Sequence, residues 1–502
     1  MMMNKISFWT ILFWACCATV HSAEPTAFRF PRSTPEAQGV HSEAILDFIE
    51  TADRELPDMN SFMLLRHGQV VAEGWWTPYN ADSRHELYSL SKSFTSTAAG
   101  LAIAEGKFSL DDFVISFFPD DLPAEKSDKL RNLRVRHLLS MATGHESEPQ
   151  LAAQDQPWTK TFLGHPLEFE PGTHFLYNTP STYMVSAIVQ KQTGQTVLEY
   201  LQPRLFAPLG IEGARWGTSP QGISLGGYGL NIRTEDIARL GQLYLQKGRW
   251  NGKQLLPASW VEMATSKQID NGNNPESDWN QGYGFQFWRC RHDCYRGDGA
   301  FGQYCVMMPN QDAVIAITSG VKNMQAVLDL VWDKLLPAME SAALPDAPVS
   351  QEKLQIRLAS LQVPIVAGRA ACDTAKSISG KKYTLTDAPG GLQMLSLRTS
   401  VEPGAEPVLI VRRDGIEQEA ACGYQRWVKG SLPLRGAGSQ PVAISGAWTA
   451  DDTFTVKVCF FETPHTLTLQ LKFTGEEVRV DSEMNVDFGP TKYPSVIGKV
   501  QP

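Results

Sequence analysis

The sequence predicts an α+β protein in which helices cover an antiparallel sheet and a separate β-rich domain follows. Of the 502 residues, 42% are hydrophobic and 20% are charged, a globular balance in a chain longer than one compact domain needs. Strand-like runs stand at both ends of residues 36–340, with helical patterns between them. One sheet face could not bury this much apolar sequence, so we expect helices against the sheet. Beyond residue 375, alternation with period two dominates.

The N-terminus has the pattern of a secretory signal peptide over residues 1–23. Lys5 precedes an apolar run over residues 6–20, and small residues end at Ala23. The run is shorter than the roughly 18 residues that a membrane-spanning helix needs. Cys16 leaves a lipid-anchored N-terminus open, although the bulky Phe13 and Trp14 fit that alternative poorly. We therefore expect a periplasmic or secreted protein without stable membrane insertion.

Charge and cysteine content narrow the function classes. The formal net charge of -9 is spread along the chain without a basic stripe, which argues against a nucleic-acid partner. Six cysteines follow the predicted signal peptide, and an exported protein can pair them. Candidate pairs are Cys290 with Cys294 and Cys372 with Cys422. The segment "CRHDC" lacks a second ligand pair at zinc-finger spacing, so a disulfide or free thiols are favoured over zinc.

The first domain is expected over residues 24–345. Its strand-like segments are "SFMLLRHGQVVAEG" at 61–74 and "YCVMMPNQDAVIAITSG" at 304–320, in which polar turn residues interrupt apolar, β-branched runs. Thr234, followed by Glu235 and Asp236, predicts the start of a helix that ends at Gly248. Residues 346–374 are expected to be a linker, because the Ala- and Pro-rich stretch at 342–353 precedes the change of pattern.

The accessory domain is expected over residues 375–502. "HTLTLQLKF" at 465–473 alternates strictly, and "TFTVKVCFF" and "KKYTLTD" share this character. Such strands predict sheets with one face in water. The sequence contains no chemical motif in this domain, so a lid, an oligomer interface, a glycan-binding role and plain stabilisation all remain open.

The stretch "LYSLSKSFTSTAAGLAI" at 87–103 predicts an amphipathic helix beginning near Ser89. Its apolar face carries Leu87, Leu90, Phe94, Ala98 and Leu101. Ser89 and Lys92 are one turn apart, so the amine can approach the hydroxyl. A serine becomes nucleophilic when a base takes its proton, and a lysine can do so if burial lowers its pKa. By spacing alone a solvated helix start is favoured, because Ser-x-x-Lys recurs at Ser319, Ser350 and Ser379.

Three motifs that follow one another along the chain favour Ser89 and Lys92 over the other Ser-x-x-Lys pairs as the catalytic pair. They are "LYSLSKSFTSTAAGLAIAEGKFSLDD" at 87–112, "VRHLLSMATG" at 135–144 and "PGTHFLYNTPSTYMVSAIVQKQTG" at 171–194. With them the chain resembles the serine β-lactamase and penicillin-binding-protein superfamily over residues 36–340. More narrowly it resembles the class C-like branch, which includes esterases, D-amino-acid peptidases and 6-aminohexanoate-dimer hydrolases. The resemblance implies a β-lactamase/transpeptidase-like fold, with the active site between a helix-covered sheet and a helical lobe.

The resemblance also implies residue roles. Ser89 matches the acyl-accepting serine, Lys92 its lysine partner, and Tyr177 the tyrosine of the Tyr-x-Asn element that shuttles protons. Thr179 occupies the family's Asn position and so lacks the amide that would hold a substrate's acylamino group. For Tyr177 alone, a half-buried aromatic residue with a satisfied hydroxyl would be the plainer interpretation.

The third element lies in "YRGDGAFGQYCVMMP" at 295–309. If Gly299 matches the glycine of the Lys-Thr-Gly motif, then Gly297 and Asp298 replace the Lys and the Thr. The backbone amides of Ser89 and Ala300 would then form the oxyanion hole. Candidate substrate contacts are Thr179, Arg296, Asp298, Gly299 and Gln303. A plain glycine-rich turn remains the alternative for this stretch.

Loss of the motif lysine bears on the substrate. Only Arg296 offers a nearby positive charge, and Asp298 opposes an anionic group. We therefore expect a serine hydrolase for an uncharged ester or small amide, with no metal or organic cofactor implied and with the oligomeric state open. The alternatives are a β-lactamase or D-amino-acid peptidase acting on cell-wall-type substrates, and a non-catalytic binding module with the same scaffold.

Other polar and aromatic residues are weaker candidates. His137 is expected to be structural at a helix start, and His145 and His174 are expected on solvated loops. The pairs Trp75/Trp76 and Phe287/Trp288 fit a substrate pocket and simple burial equally well.

Overall fold

The computed structural model describes residues 28–151, 156–386, 388–399, 405–436 and 438–501. The predicted signal peptide at 1–23, with Cys16, lies outside the described residues. Helices and antiparallel sheets share the chain, so the predicted α+β class is confirmed. No described helix is both long and apolar enough to cross a membrane.

The strands are numbered in chain order. They are β1 Met59–Arg66, β2 Gln69–Trp75, β3 His85–Glu86, β4 Arg215–Trp216, β5 Leu230–Ile232, β6 Arg249–Trp250, β7 Lys253–Gln254, β8 Trp288–Arg289, β9 Tyr295–Gly299, β10 Gln303–Met308, β11 Ala313–Ser319, β12 Lys382–Leu385, β13 Leu392–Arg398, β14 Val408–Arg413, β15 Ile416–Ala421, β16 Val428–Leu432, β17 Gln440–Ala450, β18 Thr453–Cys459, β19 Thr466–Thr474, β20 Glu477–Met484 and β21 Val496–Val500.

The α-helices are numbered in the same way. They are α1 Ser42–Glu55, α2 Ser91–Ala104, α3 Val114–Phe117, α4 Asp128–Asn132, α5 Val135–Leu139, α6 Trp158–Gly164, α7 Thr179–Thr193, α8 Val197–Leu201, α9 Ala207–Leu209, α10 Thr234–Leu245, α11 Ala258–Thr265, α12 Met324–Leu330, α13 Pro348–Ala359 and α14 Asp373–Ile378. A 3-10 turn at Tyr88–Leu90 precedes α2, and π-helical turns lie at Gln202–Phe206 and Val331–Leu335.

The first sheet has six antiparallel strands in the order β2-β1-β11-β10-β9-β8. It is buried on both faces, because successive residues of a strand point to opposite sides. Met63 and Leu65 of β1 pack into the core on one side, whereas Phe62 and Leu64 pack into the core on the other. Helix α10 covers the first side, and α1 and α12 cover the second. This arrangement fits the predicted helix-covered sheet.

The C-terminal region forms one ten-stranded antiparallel sheet in the order β15-β14-β13-β12-β21-β20-β19-β18-β17-β16. The two edge strands approach each other, so the sheet curls into a near-barrel. Leu467, Leu469, Leu471 and Phe473 of β19 all point into the barrel core. The period-two prediction is therefore confirmed in this strand.

The segment between the two regions is more ordered than the word linker suggests. Residues 348–359 form helix α13, whose Leu354 is buried against the core beneath α1 and β2. A helix with an apolar stripe can bury it against a neighbour even when Pro and Ala flank it. The domain boundaries themselves stay predictions.

The six described cysteines are all unpaired, so neither of the candidate disulfides is formed. Cys290 Sγ accepts a hydrogen bond from Arg296 Nη1, and Cys294 Sγ donates to the backbone oxygen of His292. Cys422 is buried inside the barrel, whereas Cys372 is half-buried and donates to the backbone oxygen of Asp451. The predicted pairs Cys290 with Cys294 and Cys372 with Cys422 are therefore free thiols in this structure.

Candidate active site

Helix α2 begins at Ser91, and Ser89 lies in the 3-10 turn before it. The amphipathic prediction for this helix is wrong, because every residue from Ser91 to Ala102 is buried. Its hydroxyls do not face water but donate to backbone oxygens of neighbouring loops. Ser93 donates to Gln286, Thr95 to Gly226 and Ser96 to Phe285, at 2.7–2.9 Å. Small hydroxylated residues can be buried at low cost when carbonyl groups satisfy them.

The side chain of Lys92 is 1% exposed and points at the candidate nucleophile. Its Nζ donates to Ser89 Oγ at 3.0 Å, to the backbone oxygen of Gly227 at 2.9 Å and to Thr179 Oγ1 at 3.3 Å. All three acceptors are uncharged. The structure thus brings Ser89, Lys92 and Thr179 together as the sequence motifs suggested.

Burial without an ion pair changes the acidity of this lysine. Desolvation lowers the pKa of Lys92 to about 7, although the charges of Glu148 and Asp298 act in the opposite direction. A large fraction of the amine is therefore neutral at neutral pH. A neutral amine 3.0 Å from a hydroxyl can accept its proton.

Tyr177 lies directly before α7 and beside the lysine. Its ring centroid is 4.9 Å from Lys92 Nζ, and the ring stacks on Trp288 at a centroid distance of 5.2 Å. Burial and the charge of Asp298 raise the pKa of Tyr177 well above its ordinary value, while a hydrogen bond with Ser89 acts in the opposite direction. The phenol therefore stays protonated at neutral pH and can act as a proton donor.

Two glycines bring strand β9 against the segment that carries Ser89. A Cβ added at Gly299 would lie 2.0 Å from the backbone oxygen of Leu87, and one at Gly297 would lie 2.4 Å from Ser93 Oγ. Only glycine permits so close an approach of two backbones. Ala300 follows in the β9–β10 turn, and both strands contact the 3-10 turn that carries Ser89.

Comparison with known proteins now separates the interpretations of this site. The family model described as "Beta-lactamase" matches residues 51–331, which is more than half of the chain. The chain belongs to the beta-lactamase family. The match spans α2, α7 and β9 and includes the candidate site residues on and beside them, so the chain is a serine hydrolase and the alternative of a non-catalytic binding module is set aside.

Individual relatives are distant. The 6-aminohexanoate-dimer hydrolase of Paenarthrobacter ureafaciens is 26% identical over 313 residues, which are 56% of this chain and 78% of that enzyme. The D-aminopeptidase of Brucella anthropi is 29% identical over 165 residues, which are 30% of this chain and 31% of that enzyme. The structure of EstCE1, a hydrolase with promiscuous acyltransferase activity, has a TM-score of 0.50 at 17% identity, covering 59% of this chain and 99% of its own. That structural likeness concerns the fold.

Arg296 and Asp298 of this chain were expected near the substrate, and the structure argues against direct contact, because both side chains are buried and paired with each other. Arg296 is fully buried, and its Nε and Nη2 lie 2.9 and 2.8 Å from Asp298 Oδ2. Arg296 Nη1 also donates to the backbone oxygen of Asp278 at 2.7 Å, and the guanidinium lies 4.4 Å from the Trp279 ring centroid. The pair is committed to the wall behind β9 and not to a ligand.

Gln303 also has a different place from the one expected. Its side chain is fully buried, and Nε2 donates to the backbone oxygens of Ala300 at 3.0 Å and Ser319 at 2.7 Å. It therefore fixes the turn that carries the Ala300 amide. Gly299 likewise contributes the close backbone approach, since glycine has no side chain to offer a substrate.

Glu148 is a site residue that the sequence motifs did not reveal. Its Oε1 accepts a hydrogen bond of 2.7 Å from the backbone N–H of Thr179, the first residue of α7. The helix N-terminus favours a carboxylate at this position. No spacing in the sequence links the two residues, because Glu148 comes from the long loop after α5.

The three candidate histidines contact neighbouring parts of the protein. His145 was expected on a solvated loop, and this is wrong: it is fully buried, Nδ1 contacts Thr143 Oγ1 at 2.8 Å, and burial lowers its pKa to about 4. His137 Nδ1 accepts from the backbone N–H of Arg134 and caps α5. His174 is half-buried and stacks on Phe169.

Of the aromatic pairs, Trp288 reaches the site, whereas Trp76 belongs to the core. No cluster of three or more metal-binding side chains occurs among the described residues.

The C-terminal barrel contacts Tyr88 and Phe301, which lie next to Ser89 and Ala300 in the chain. His465 Nε2 lies 2.8 Å from the hydroxyl of Tyr88, the residue before Ser89. The ring of Phe488 packs at 5.7 Å from Tyr88 and 4.9 Å from Phe301, the residue after Ala300. Tyr88 and Phe301 both have positive φ angles, of 48° and 67°. The barrel thus holds two strained positions that flank the candidate oxyanion-hole residues.

Proposed function

We propose that the protein is an exported serine hydrolase that cleaves an uncharged ester or small amide through an acyl-enzyme on Ser89. The observation that carries the proposal is the buried Lys92 amine, 3.0 Å from Ser89 Oγ and bonded only to neutral acceptors. Few buried lysines remain without a carboxylate partner unless their deprotonated form is used.

The proposed reaction has two halves. Lys92 accepts the Ser89 proton while Oγ attacks the substrate carbonyl, and the amides of Ser89 and Ala300 donate to the oxygen that becomes negative. Tyr177 gives its proton to the leaving alcohol or amine and recovers one from the Lys92 ammonium. Water then attacks the acyl-serine carbonyl, its proton returns to Ser89 through the same groups, and the acid departs.

The charges around the site support an uncharged substrate. Glu148 and Asp298 are carboxylates close enough to act on the pKa of Lys92, and the Arg296 cation is already paired with Asp298. No arginine or lysine of the motif strand is therefore free to hold a substrate carboxylate. The exposed Phe488 beside Phe301 adds an apolar surface at the mouth of the site.

A D-amino-acid peptidase or β-lactamase is the second candidate. It is supported by the partial similarity to a D-aminopeptidase and by the family itself. A requirement for a free carboxylate on the substrate, with uncharged esters inert, would favour this candidate over an esterase or amidase.

Export is proposed from the N-terminal pattern of Lys5, the apolar run at 6–20 and the small residues ending at Ala23. N-terminal sequencing of the protein recovered from the periplasm or medium tests it. A mature N-terminus near residue 24 supports cleavage, whereas an acylated Cys16 or uncleaved Met1 contradicts it.

The decisive experiment measures turnover of a short-chain p-nitrophenyl ester, a D-amino-acid amide and nitrocefin in parallel, with intact-mass detection of the acyl adduct. Wild type is compared with Ser89→Ala and with Ser96→Ala, a matched control that removes a buried hydroxyl from the same helix without touching Lys92. We expect ester turnover and an adduct in wild type and Ser96→Ala only. Turnover confined to nitrocefin or the D-amide would overturn the substrate proposal, and the absence of both turnover and adduct with all three substrates, or full turnover in Ser89→Ala, would overturn the mechanism.

A further inference from the structure

The C-terminal barrel contains a cavity of about 190 Å³ at one end. Its walls are mainly aliphatic and come from the inward faces of β12, β13, β19, β20 and β21. They include Leu385, Leu392, Leu467, Leu469, Val480 and Met484. A dry apolar cavity of about 150 Å³ is large enough to bind benzene. The barrel cavity therefore has room for one aromatic ring or a short alkyl chain.

The cavity opens to solvent, unlike the rest of the barrel interior. The lining residues Leu385, Leu467 and Leu469 are 6%, 9% and 3% exposed, whereas Leu397 and Leu409 in the same core are fully buried. Close packing normally fills the inside of a small barrel with side chains. A hole that reaches the surface at one end is thus a feature that a ligand can use.

Two arginines stand at this cavity. Arg413 is largely buried; its Nε forms an ion pair of 3.5 Å with Asp414 Oδ2, and its Nη1 donates to the backbone oxygen of Pro433 at 3.5 Å. Arg435 is half-buried and has no carboxylate within 4 Å among the described residues. A cavity with aliphatic walls and two cations matches a molecule with an apolar body and an anionic end.

Arg435 also places the cavity relative to the catalytic domain. Its guanidinium is within hydrogen-bonding reach of the Tyr88 side chain of that domain, and its charge also reaches Glu86 there and His465 and Asp487 of the barrel. The end of the barrel that contains the cavity therefore faces Tyr88, the residue before Ser89. Asp487 lies beyond 4 Å from the guanidinium and forms no ion pair with it, so a ligand carboxylate would meet a cation whose neighbour is the uncharged Tyr88 hydroxyl, although the charge of Asp487 weakens the attraction for an anion.

We propose that the C-terminal barrel is a binding site for a small apolar carboxylate, such as a medium-chain fatty acid or an aromatic acid, whose tail fills the cavity and whose carboxylate meets Arg435. Such an acid is available from two sources. It is the chemical class of product that ester hydrolysis releases, and it is also an independent small-molecule ligand. The site is distinct from Ser89 in either case.

The test is calorimetric titration of octanoate into the full chain carrying Ser89→Ala, with 1-octanol and butyrate titrated in parallel. We expect octanoate to bind more tightly than both, since one lacks the charge and the other the tail. Arg435→Gln should weaken octanoate by about tenfold, as loss of a charge-assisted hydrogen bond does, and leave 1-octanol unchanged. Arg479→Gln, which removes an arginine from the outer surface of β20, is the matched control.

A cavity-filling substitution separates the barrel from the catalytic cleft. Leu469→Phe should abolish octanoate binding, and thermal unfolding of the same sample reports whether the variant is folded. A co-crystal with 8-bromooctanoate locates the bromine independently of any variant. Bromine in the barrel supports the proposal; bromine in the cleft, or octanoate binding that survives both Arg435→Gln and Leu469→Phe, overturns it, as does absence of binding heat. Turnover of p-nitrophenyl octanoate by the wild type, followed by detection of octanoate in the barrel, distinguishes a product from an independent ligand, because an enzyme that does not hydrolyse this ester supplies no octanoate.

Discussion

Two buried cations stand on opposite walls of the active site and have opposite chemistry. Lys92 on α2 is 1% exposed and contacts two hydroxyl oxygens and one backbone oxygen. Arg296 on β9 is fully buried and contacts a carboxylate, that of Asp298. Burial lowers the pKa of Lys92 to about 7, whereas Arg296 stays charged.

The difference teaches that burial acts together with the acceptors and with the basicity of the group itself to decide what a buried basic side chain does. Neutral acceptors cannot repay the desolvation of an ammonium group, so the lysine deprotonates and becomes a base. The arginine stays charged because a guanidinium is too basic to deprotonate in a protein, and its carboxylate partner makes it part of the framework. The wall that carries Lys92 therefore presents an amine that can accept a proton, and the wall that carries Arg296 presents a paired cation.

The largest expected effect is on catalysis, from Lys92→Met. We expect kcat/KM for a p-nitrophenyl ester to fall by about 10³-fold or more, because the base that activates Ser89 is lost. Lys191→Met, at the exposed end of α7, removes a lysine without approaching the site and should keep wild-type activity. Wild-type kcat/KM in Lys92→Met would refute the proposed base.

Loss of the Arg296 side chain should lower the stability of the protein. Arg296→Met leaves the buried Asp298 carboxylate without its partner, and we expect the free energy of unfolding to fall by about 3–5 kcal/mol. Urea denaturation with a two-state fit to the catalytic-domain transition measures this. Adding Asp298→Asn should restore part of the loss, since the unpaired charge is then gone. An unchanged denaturation midpoint in Arg296→Met would mean that the pair does not support the wall.

Lys92→Met should change the free energy of unfolding in the opposite direction, towards higher stability. In the folded chain the pKa of Lys92 is about 7, below its ordinary 10.5, so between these pH values the unfolded chain binds more protons and wild-type stability rises with pH. Methionine has no such dependence. We expect the variant to be more stable by about 2–4 kcal/mol at pH 7 and the advantage to vanish near pH 10.5. Urea melts at both pH values measure this; a destabilised variant at pH 7 contradicts it.

Much of the fold could be predicted from the sequence, because the strands have strong local signals. The apolar runs of β1 and β11 indicated strands, and the alternation in β19 indicated its buried face, whereas the pairing of β1 with β11 came from the structure. Helix α2 was misjudged as amphipathic, since a hydroxyl counts as polar in a pattern but is satisfied in the core by a carbonyl group. The ordered α13 was missed because Pro and Ala dominate its surroundings.

The site was predictable only where its residues lie in motifs. Ser89, Lys92 and Thr179 come together as expected, and Tyr177 lies beside them. Glu148 had no signal, because a loop carries it to the N-terminus of α7 by tertiary structure alone. The contact of His465 with Tyr88 joins residues 377 positions apart, and no local pattern reports such a distance.

The smallest predicted effect sharpens the comparison through Glu148. The rate depends on neutral Lys92, so kcat/KM should rise with pH through an apparent pKa near 7. The Glu148 carboxylate raises the pKa of Lys92, and Glu148→Gln should therefore move this rising limb to lower pH, by about one unit or less. The variant keeps the hydrogen bond to the Thr179 amide, so the fold of the site is conserved. Glu146→Gln, an exposed neighbour two residues away, is the control. A limb that stays in place would mean that Glu148 is screened from the lysine, and a limb that moves to higher pH would mean that a group other than neutral Lys92 limits the reaction.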